Sequence, residues 1–475
     1  MPPSTGSAAA RASCLWMSEM RLWASVAVLL CASGIAFPAT DPPLVDAARN
    51  ADTTLVRTLV AEGADVDAPG GDGSTALLWA SYHDDAEGAG LLLAAGADVD
   101  GANDLGATPL WAASQNGSEA MVALLLEAGA DPNRALLAGE TPLMVAARSG
   151  YAPVVRRLIA LGADVDARGA RDQTALMWAA AEKHPDVVEA LLAGGADIQA
   201  RSEVWSQVMA VDPHGYLGYN REIPHGGDTA LMFAARSGDL ASMKLLVAAG
   251  ADVDDADAWG VSATTLAAHS GFTEVVEFLL SSGADPNAAP NGFTALHEAI
   301  MRRDERMVAS LLAHGADANA PLATWTPTRR TADDWYFTPE LVGATPFWLA
   351  ARFTQPAVMR LLVGHGADPL VVHRGERAVA NREGTFDLRI EETTALMASS
   401  GMGGGRAWVD PDRDQREALT LEAVRIAVGL GVDVNASNAD GRTALDAARS
   451  LRFQSVIDFL VANGAESGTE PEGTQ

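Results

Sequence analysis

An internal period of 33 residues constrains this chain more than any other feature. The same position recurs as Pro42, Thr75, Thr108, Thr141 and Thr174, each 33 residues after the last. Thr229, Ser262, Thr294, Thr345, Thr394 and Thr443 continue the series at steps of 32, 33 or about 50 residues, which makes eleven repeats. A glycine turn travels with it: Gly63-Ala64-Asp65 is matched by eight later Gly-Ala-Asp copies, ending with Gly366-Ala367-Asp368. The last two copies drift to Gly431-Val432-Asp433 and Gly464-Ala465-Glu466. Length alone, 475 residues, would suggest about three globular domains, but a period of this size replaces them with one elongated array.

The copy from Thr141 to Asp172 shows what each repeat can form. Thr141 is an N-cap and Pro142 follows at the first helical position, where its missing N–H costs nothing. Leu143, Met144, Ala146 and Ala147 give a short apolar face, and Gly150 supplies the left-handed residue that ends the helix. A second helix carries Val154, Val155, Leu158 and Ile159 and stops at Gly162. Residues 163–172, with Asp, Gly and one Val, suit an extended finger with a tight turn. Helices this short are marginal alone, so each pair must stack on its neighbours.

Period, cap, turn glycine and terminal Gly-Ala-Asp together resemble the ankyrin repeat family, whose signature is Thr-Pro-Leu-His-x-Ala. Thr294-Ala295-Leu296-His297 keeps the family's His, while other copies place Leu78, Trp111, Met144, Met177, Met232 or Trp348 there. The resemblance implies an all-α repeat solenoid of stacked helix-turn-helix units with β-hairpin-like fingers, about eleven repeats and four insertions. It also implies a concave face of first helices and fingers that binds another macromolecule without catalysis.

The formal charge is −29, and the region after residue 39 holds 31 basic against 61 acidic side chains. A body this acidic repels phosphate backbones, so nucleic acid is excluded as the expected partner. Much of the acid sits in the finger turns: Asp65, Asp98 and Asp131, with Asp67, Asp100, Asn133 and Asp166 nearby, suit side-chain bonds to local backbone N–H groups. Stacking aligns them into a negative ridge, which would favour a protein partner that is basic or polar at its contact surface. Lysine is confined to Lys183 and Lys244, and with abundant Ala and Gly this points to a GC-rich bacterial genome.

Arg21 precedes an apolar run from Leu22 to Ala36 that ends in small residues, the order of a secretory signal peptide. The run is short for a membrane span, and Met17 and Met20 are alternative starts. Residues 1–39 therefore read as a signal peptide with an extended lead, 40–466 as the solenoid and 467–475 as a disordered tail. The expected location is the periplasm or outside the cell. Cys14 and Cys31 both lie in the leader, so the mature chain has neither disulfide nor catalytic thiol. Cys31 is a weak candidate for lipid attachment, because Leu30 stands where a small residue is needed.

The insertions fall near 202–226, 321–341, 371–391 and 401–417. The first three lie between a Gly-Ala-Asp turn and the next cap, so they project from one edge; the fourth lies between the helices of its own repeat, at the opposite edge. The first two concentrate Trp205, Tyr216, Tyr219, Trp325, Trp335 and Tyr336, residues that dominate protein interfaces. Their alternative is a private mini-core over neighbouring repeats. A second candidate surface is formed by residues before the first-helix turn: Tyr82, His83, Gln115, Arg148, Arg236, His269, Arg352 and Phe353.

No cofactor or metal is expected. Asp410-x-Asp412-x-Asp414 opens like a calcium loop, but Gln415 and Leu421 stand where Gly and Glu are required. Gly401–Gly405 lacks the Lys and Ser or Thr of a phosphate cradle. His214 and His225, with Asp212 and Glu222, do not have zinc spacing, and His297 reads as a packed histidine. The expectation is a monomeric, non-catalytic interaction scaffold. The competing classes are a hydrolase built from carboxylates with His214 or His225, and a self-assembling envelope protein.

Overall fold

The computed structural model describes residues 41–209, 216–326, 337–381, 383–404 and 412–468. Among them are 22 α-helices in eleven antiparallel pairs, one pair per repeat. In repeat 4 the helices are Pro142–Ser149 and Ala152–Ala160. Thr141 Oγ1 accepts the Met144 N–H at 3.2 Å, and the same bond recurs at Thr75, Thr108, Thr174, Thr345 and Thr394. In repeats 1, 2, 3, 6 and 8 the second helix is capped by an acid or serine, at Asp52, Asp85, Ser118, Asp239 and Asp304. These caps answer N–H groups that a helix of two turns otherwise leaves open.

Gly150 has φ of 83°, and a Cβ there would lie 2.7 Å from His184 of the next repeat. Glycine at this turn serves both the left-handed backbone and the close approach of its neighbour. Where space allows, Asp84, Lys183, Arg303 and Arg452 adopt the same positive φ.

The chain forms two compact units. The first takes in the described residues up to Val204 and Gly226–Asp252, hence repeats 1 to 6; the second takes in Trp205–His225 and the described residues from Val253, hence repeats 7 to 11. Within each, first helices pack on first helices and second on second. The seam of the first unit runs through Leu77, Leu92, Leu110, Met121, Leu125, Leu143, Leu158 and Leu176, all buried. Full burial of such a side chain is worth about 1.5–3 kcal/mol, more than a two-turn helix can gain alone. In the second unit, repeats 10 and 11 share a cluster of Leu396, Met402, Val424, Leu445, Phe453 and Leu460.

The finger acids have a division of labour that differs from the local bonding expected of all of them. The first Asp makes the local turn: Asp65 Oδ1 accepts from Asp67 N at 3.1 Å, and Asp131 Oδ1 from Asn133 N at 2.9 Å. The second residue reaches the next repeat. Asp67 accepts from Asp98 N at 2.7 Å, Asn133 from Asp164 N at 2.7 Å and Asp166 from Asp197 N at 2.8 Å. In the second unit Asn287 serves Asp317 N, Asn319 serves Asp368 N and Asn435 serves Glu466 N.

The fingers themselves are turns, but two insertions are β-hairpins. The first is β1 (Val204–Met209) with β2 (Arg221–Gly226). The third is β3 (His373–Ala380) with β4 (Phe386–Thr393), antiparallel from His373 opposite Thr393 to Ala380 opposite Phe386. The fourth insertion is shorter than its expected bounds, because Arg413–Gly429 is one 17-residue helix.

Candidate functional site

The first unit places an aromatic and arginine surface along the ends of its first helices. Tyr82, 40 % exposed, meets Trp79 edge-on at 5.8 Å and His83 at 5.2 Å. The Arg49 guanidinium lies 5.2 Å from the Trp79 ring, a cation–π contact. Arg148 repeats the device over Trp178 at 5.6 Å while bonding Glu140 at 2.6 Å. Burial pushes the Glu140 carboxyl above its usual range, against the pull of Arg148. Arg236 bonds Asp228 at 2.7 Å and lies over Phe233. In both, the arginine stands eight positions after an acid that precedes the cap.

Several of these residues also couple adjacent repeats. His83 Nε2 donates to Arg49 O at 2.9 Å, Asn116 Nδ2 to Tyr82 O, and His184 Nε2 to Arg148 O at 3.0 Å. Each caps a carbonyl left open at the previous helix's end. Gln115 is half-buried beside them. Arg49, Trp79 and Trp178 were not singled out from sequence; Trp79 and Trp178 stand four residues after their caps, a spacing that reads as core, yet both are half-buried.

The second unit treats the corresponding positions differently. His269 Nδ1 lies 3.1 Å from buried Glu298 Oε2, and Arg302 Nη1 donates to His269 O at 2.5 Å. Arg352 and Phe353, expected on a binding surface, are buried: Arg352 Nε donates to Gly404 O at 2.8 Å, under the fourth insertion. Burial lowers the Arg352 pKa below its ordinary value.

Of the insertion aromatics, Tyr219 and Trp325 pack as the mini-core alternative has it. Tyr219 and Trp325 are 6 % and 3 % exposed and form a cluster with Tyr216, Val342 and Ala378. Neither presents an interface ring, because each fills the space left by the other's insertion. Tyr216 packs edge-on against Tyr219 at 4.8 Å and reaches Phe386 at 6.0 Å. Arg221 lies over Trp325 at 4.9 Å and donates to Thr324 Oγ1 at 2.7 Å. Ala378 N donates to Tyr219 Oη at 3.0 Å, so all three finger insertions meet. Trp205 stacks on His225 at 4.5 Å. Trp335, Tyr336, His214 and Asp410 lie outside the described residues.

The buried histidines are structural. His297 is fully buried, accepts from Thr294 N at 3.0 Å and donates from Nε2 to Ala320 O at 3.1 Å. Burial holds its pKa at about 4, and the same cause brings His373, packed on Trp348 at 4.1 Å, to about 4. His314 and His365 donate to helix-end carbonyls of Ser310 and Leu361. Asp412 caps the Arg413 helix by accepting from Gln415 N at 2.9 Å. Among the described residues no group of three or more His, Cys, Asp or Glu could hold a metal, and no helix is long and apolar enough to cross a membrane.

Comparison with known proteins places this geometry. The chain is 30 % identical over 256 residues to an ankyrin repeat and KH domain-containing protein of Caenorhabditis briggsae, covering 52 % of this chain and 9 % of that protein. It is 40 % identical over 93 residues to a putative ankyrin repeat-containing protein of Treponema pallidum, covering 19 % of this chain and 31 % of that one. A 30 % match over 151 residues to a mitochondrial disaggregase of Bos taurus covers 24 % and 22 %. This chain thus spans less than a third of each relative. The crystal structure of the human ASB11 ankyrin repeat domain aligns with a TM-score of 0.43 at 29 % identity, over 51 % of this chain and 99 % of that one. The three-copy ankyrin repeat family model matches residues 44–136, 134–202 and 231–322, and the single-repeat model matches 342–374. Ankyrin repeats are protein-interaction modules that are generally non-catalytic, and with most of its length matched this chain belongs to the ankyrin repeat family.

Proposed function

We propose that this chain is a non-catalytic binding scaffold, exported to the periplasm or cell envelope of a bacterium, that captures a partner protein on the first-helix face of repeats 1 to 6. The observation that carries the reading is the surface around Tyr82. An exposed tyrosine, half-exposed tryptophans and arginines held over rings are the residue types that supply most interface energy. Their geometry is fixed before a partner arrives. Arg148 is held by Glu140 and Trp178, and His83 by Arg49 O, so binding costs little side-chain entropy. The partner would be polar or basic at its rim, matching the acidic fingers.

Export is supported by the apolar run from Leu22 to Ala36 behind Arg21. Fractionation of the native host tests it: recovery of a shortened chain in the cytoplasm alone would remove the periplasmic reading. For the binding face, Tyr82→Ala and Arg148→Gln, whose amide can still donate to Glu140, should each weaken capture of the native partner at least tenfold, with the melting temperature within a few degrees of wild type. Undiminished capture by both variants would move the site elsewhere.

A further inference from the structure

We infer that the free edge of β4 pairs antiparallel with β4 of a second copy of this chain, joining two hairpins into a four-stranded sheet. In an antiparallel hairpin, residues alternate between pairs that exchange both backbone bonds and pairs whose N–H and C=O point away. Ala378 N–H donates to Tyr219 Oη, so Ala378 points away from β4. Its opposite, Leu388, therefore points its own N–H and C=O away from β3, as do Phe386 and Ile390 two residues to either side. The two outer edges have different fates. That of β3 is met by Tyr219 and by the turn at Pro339–Leu341, while among the described residues nothing bonds the outward groups of β4. Leu388 and Ile390 are 47 % and 59 % exposed beside them. Natural edges of this length are usually covered, bulged or broken by proline.

The sequence of β4 names its occupant. Phe386-Asp387-Leu388-Arg389-Ile390 is complementary to itself about Leu388. A two-fold axis there sets Phe386 opposite Ile390, Asp387 opposite Arg389, and Leu388 opposite its own copy, with on the order of six backbone hydrogen bonds. Arg389 has a particular need for this. It faces Arg377 directly across the hairpin, and among the described residues its side chain has no ion pair or hydrogen bond. The second copy brings Asp387 beside it. Other registers fit worse: centring on Arg389 opposes Arg389 to itself and Asp387 to Glu391. Centring on Ile390 sets Leu388 against Glu392, which is engaged with Arg374 at 2.7 Å. The charged side chains thus discourage indiscriminate edge pairing while admitting one partner strand.

Five paired residues make a small interface, so the dimer is weak, with a dissociation constant on the order of 100 μM. Sedimentation of the full chain from roughly 10 μM to 1 mM should show it. Asp387→Arg and Arg389→Asp should each weaken association about tenfold or more, by opposing like charges twice per dimer. Mixed together, these two variants should associate as the wild type does, because arginines at 387 and 389 then face aspartates. Leu388→Pro, which deletes an outward N–H and spares the β3–β4 bonds, should be monomeric with an unchanged melting curve. A wild type that stays monomeric throughout overturns the inference, as does a dimer unaffected by these changes or a mixture that fails to associate.

Discussion

His297 shows how one residue carries both the repeat's ancestry and a measurable liability. Its two ring nitrogens have fixed roles, acceptor toward Thr294 N and donor toward Ala320 O, which only the neutral ring can fill. Protonation would strand a charge in a site with no exposure. Folded His297 and His373 titrate near 4, against 6.5 when unfolded. The unfolded chain therefore binds more protons between these values, and stability is lost as pH falls from 6.5 to 4. Each histidine contributes about 3 kcal/mol across that window. The lowered carboxyls of Asp41 and Asp446 add losses as pH falls through the unfolded carboxylate range and below it. Urea unfolding at pH 7, 6 and 5 should show the fall. His297→Met, the residue that repeats 4 to 6 already place there, should flatten it by close to half. In repeat 11 Asp446 takes over the back-bond to the cap, Thr443 N at 2.9 Å, so the position selects for an acceptor or an apolar filler.

At the scale of elements, the insertions are held by contacts far apart in sequence. Tyr219 meets Trp325, and its hydroxyl accepts the Ala378 N–H. Tyr219→Phe keeps the ring and leaves that N–H without its acceptor, which should cost about 1–3 kcal/mol. Trp325→Ala should cost about 3–5 kcal/mol by opening a cavity beneath Arg221. Both losses should show as faster amide exchange in β3 and β4, with repeats 1 to 5 unchanged, since repeat arrays couple mainly to neighbours. Uniform acceleration along the whole chain would contradict this locality. The helices, caps and turn glycines were legible in sequence because each rests on residues three to five apart. The burial of Arg352 and Phe353 was not, and that of Trp325 was one of two open readings, because it depends on partners between about 50 and 100 residues away. The strands of the third insertion were not read from sequence, although Phe386-Asp387-Leu388-Arg389-Ile390 alternates with the period of two that marks a strand.

For the whole molecule, cohesion depends on what joins one repeat to the next, and the finger bonds are the part that can be edited without touching a core. Within the second unit the sequence supplies the acceptor at Asp254, Asn287, Asn319 and Asn435. It is missing once. The residue two after Asp368 is Leu370, 56 % exposed, and among the described residues Asp433 N has no side-chain acceptor from repeat 9. The backbone there already has the required turn, with Leu370 N donating to Asp368 Oδ1 at 2.9 Å. An asparagine at 370 would need no rearrangement to offer the bond that Asn319 gives Asp368. Leu370→Asn should therefore stabilise the junction of repeats 9 and 10 by about 0.5–1.5 kcal/mol, the worth of one intramolecular hydrogen bond. Repeats 10 and 11, which share their own apolar cluster, should exchange amides at a lower opening free energy than repeats 7 to 9 in the wild type. The substitution should narrow that gap, whereas Leu370→Ala, which removes the exposed apolar side chain without adding an acceptor, should leave it unchanged. Equal protection of all five repeats in the wild type would mean that stacking alone sets their cohesion and that the acceptors add nothing to it.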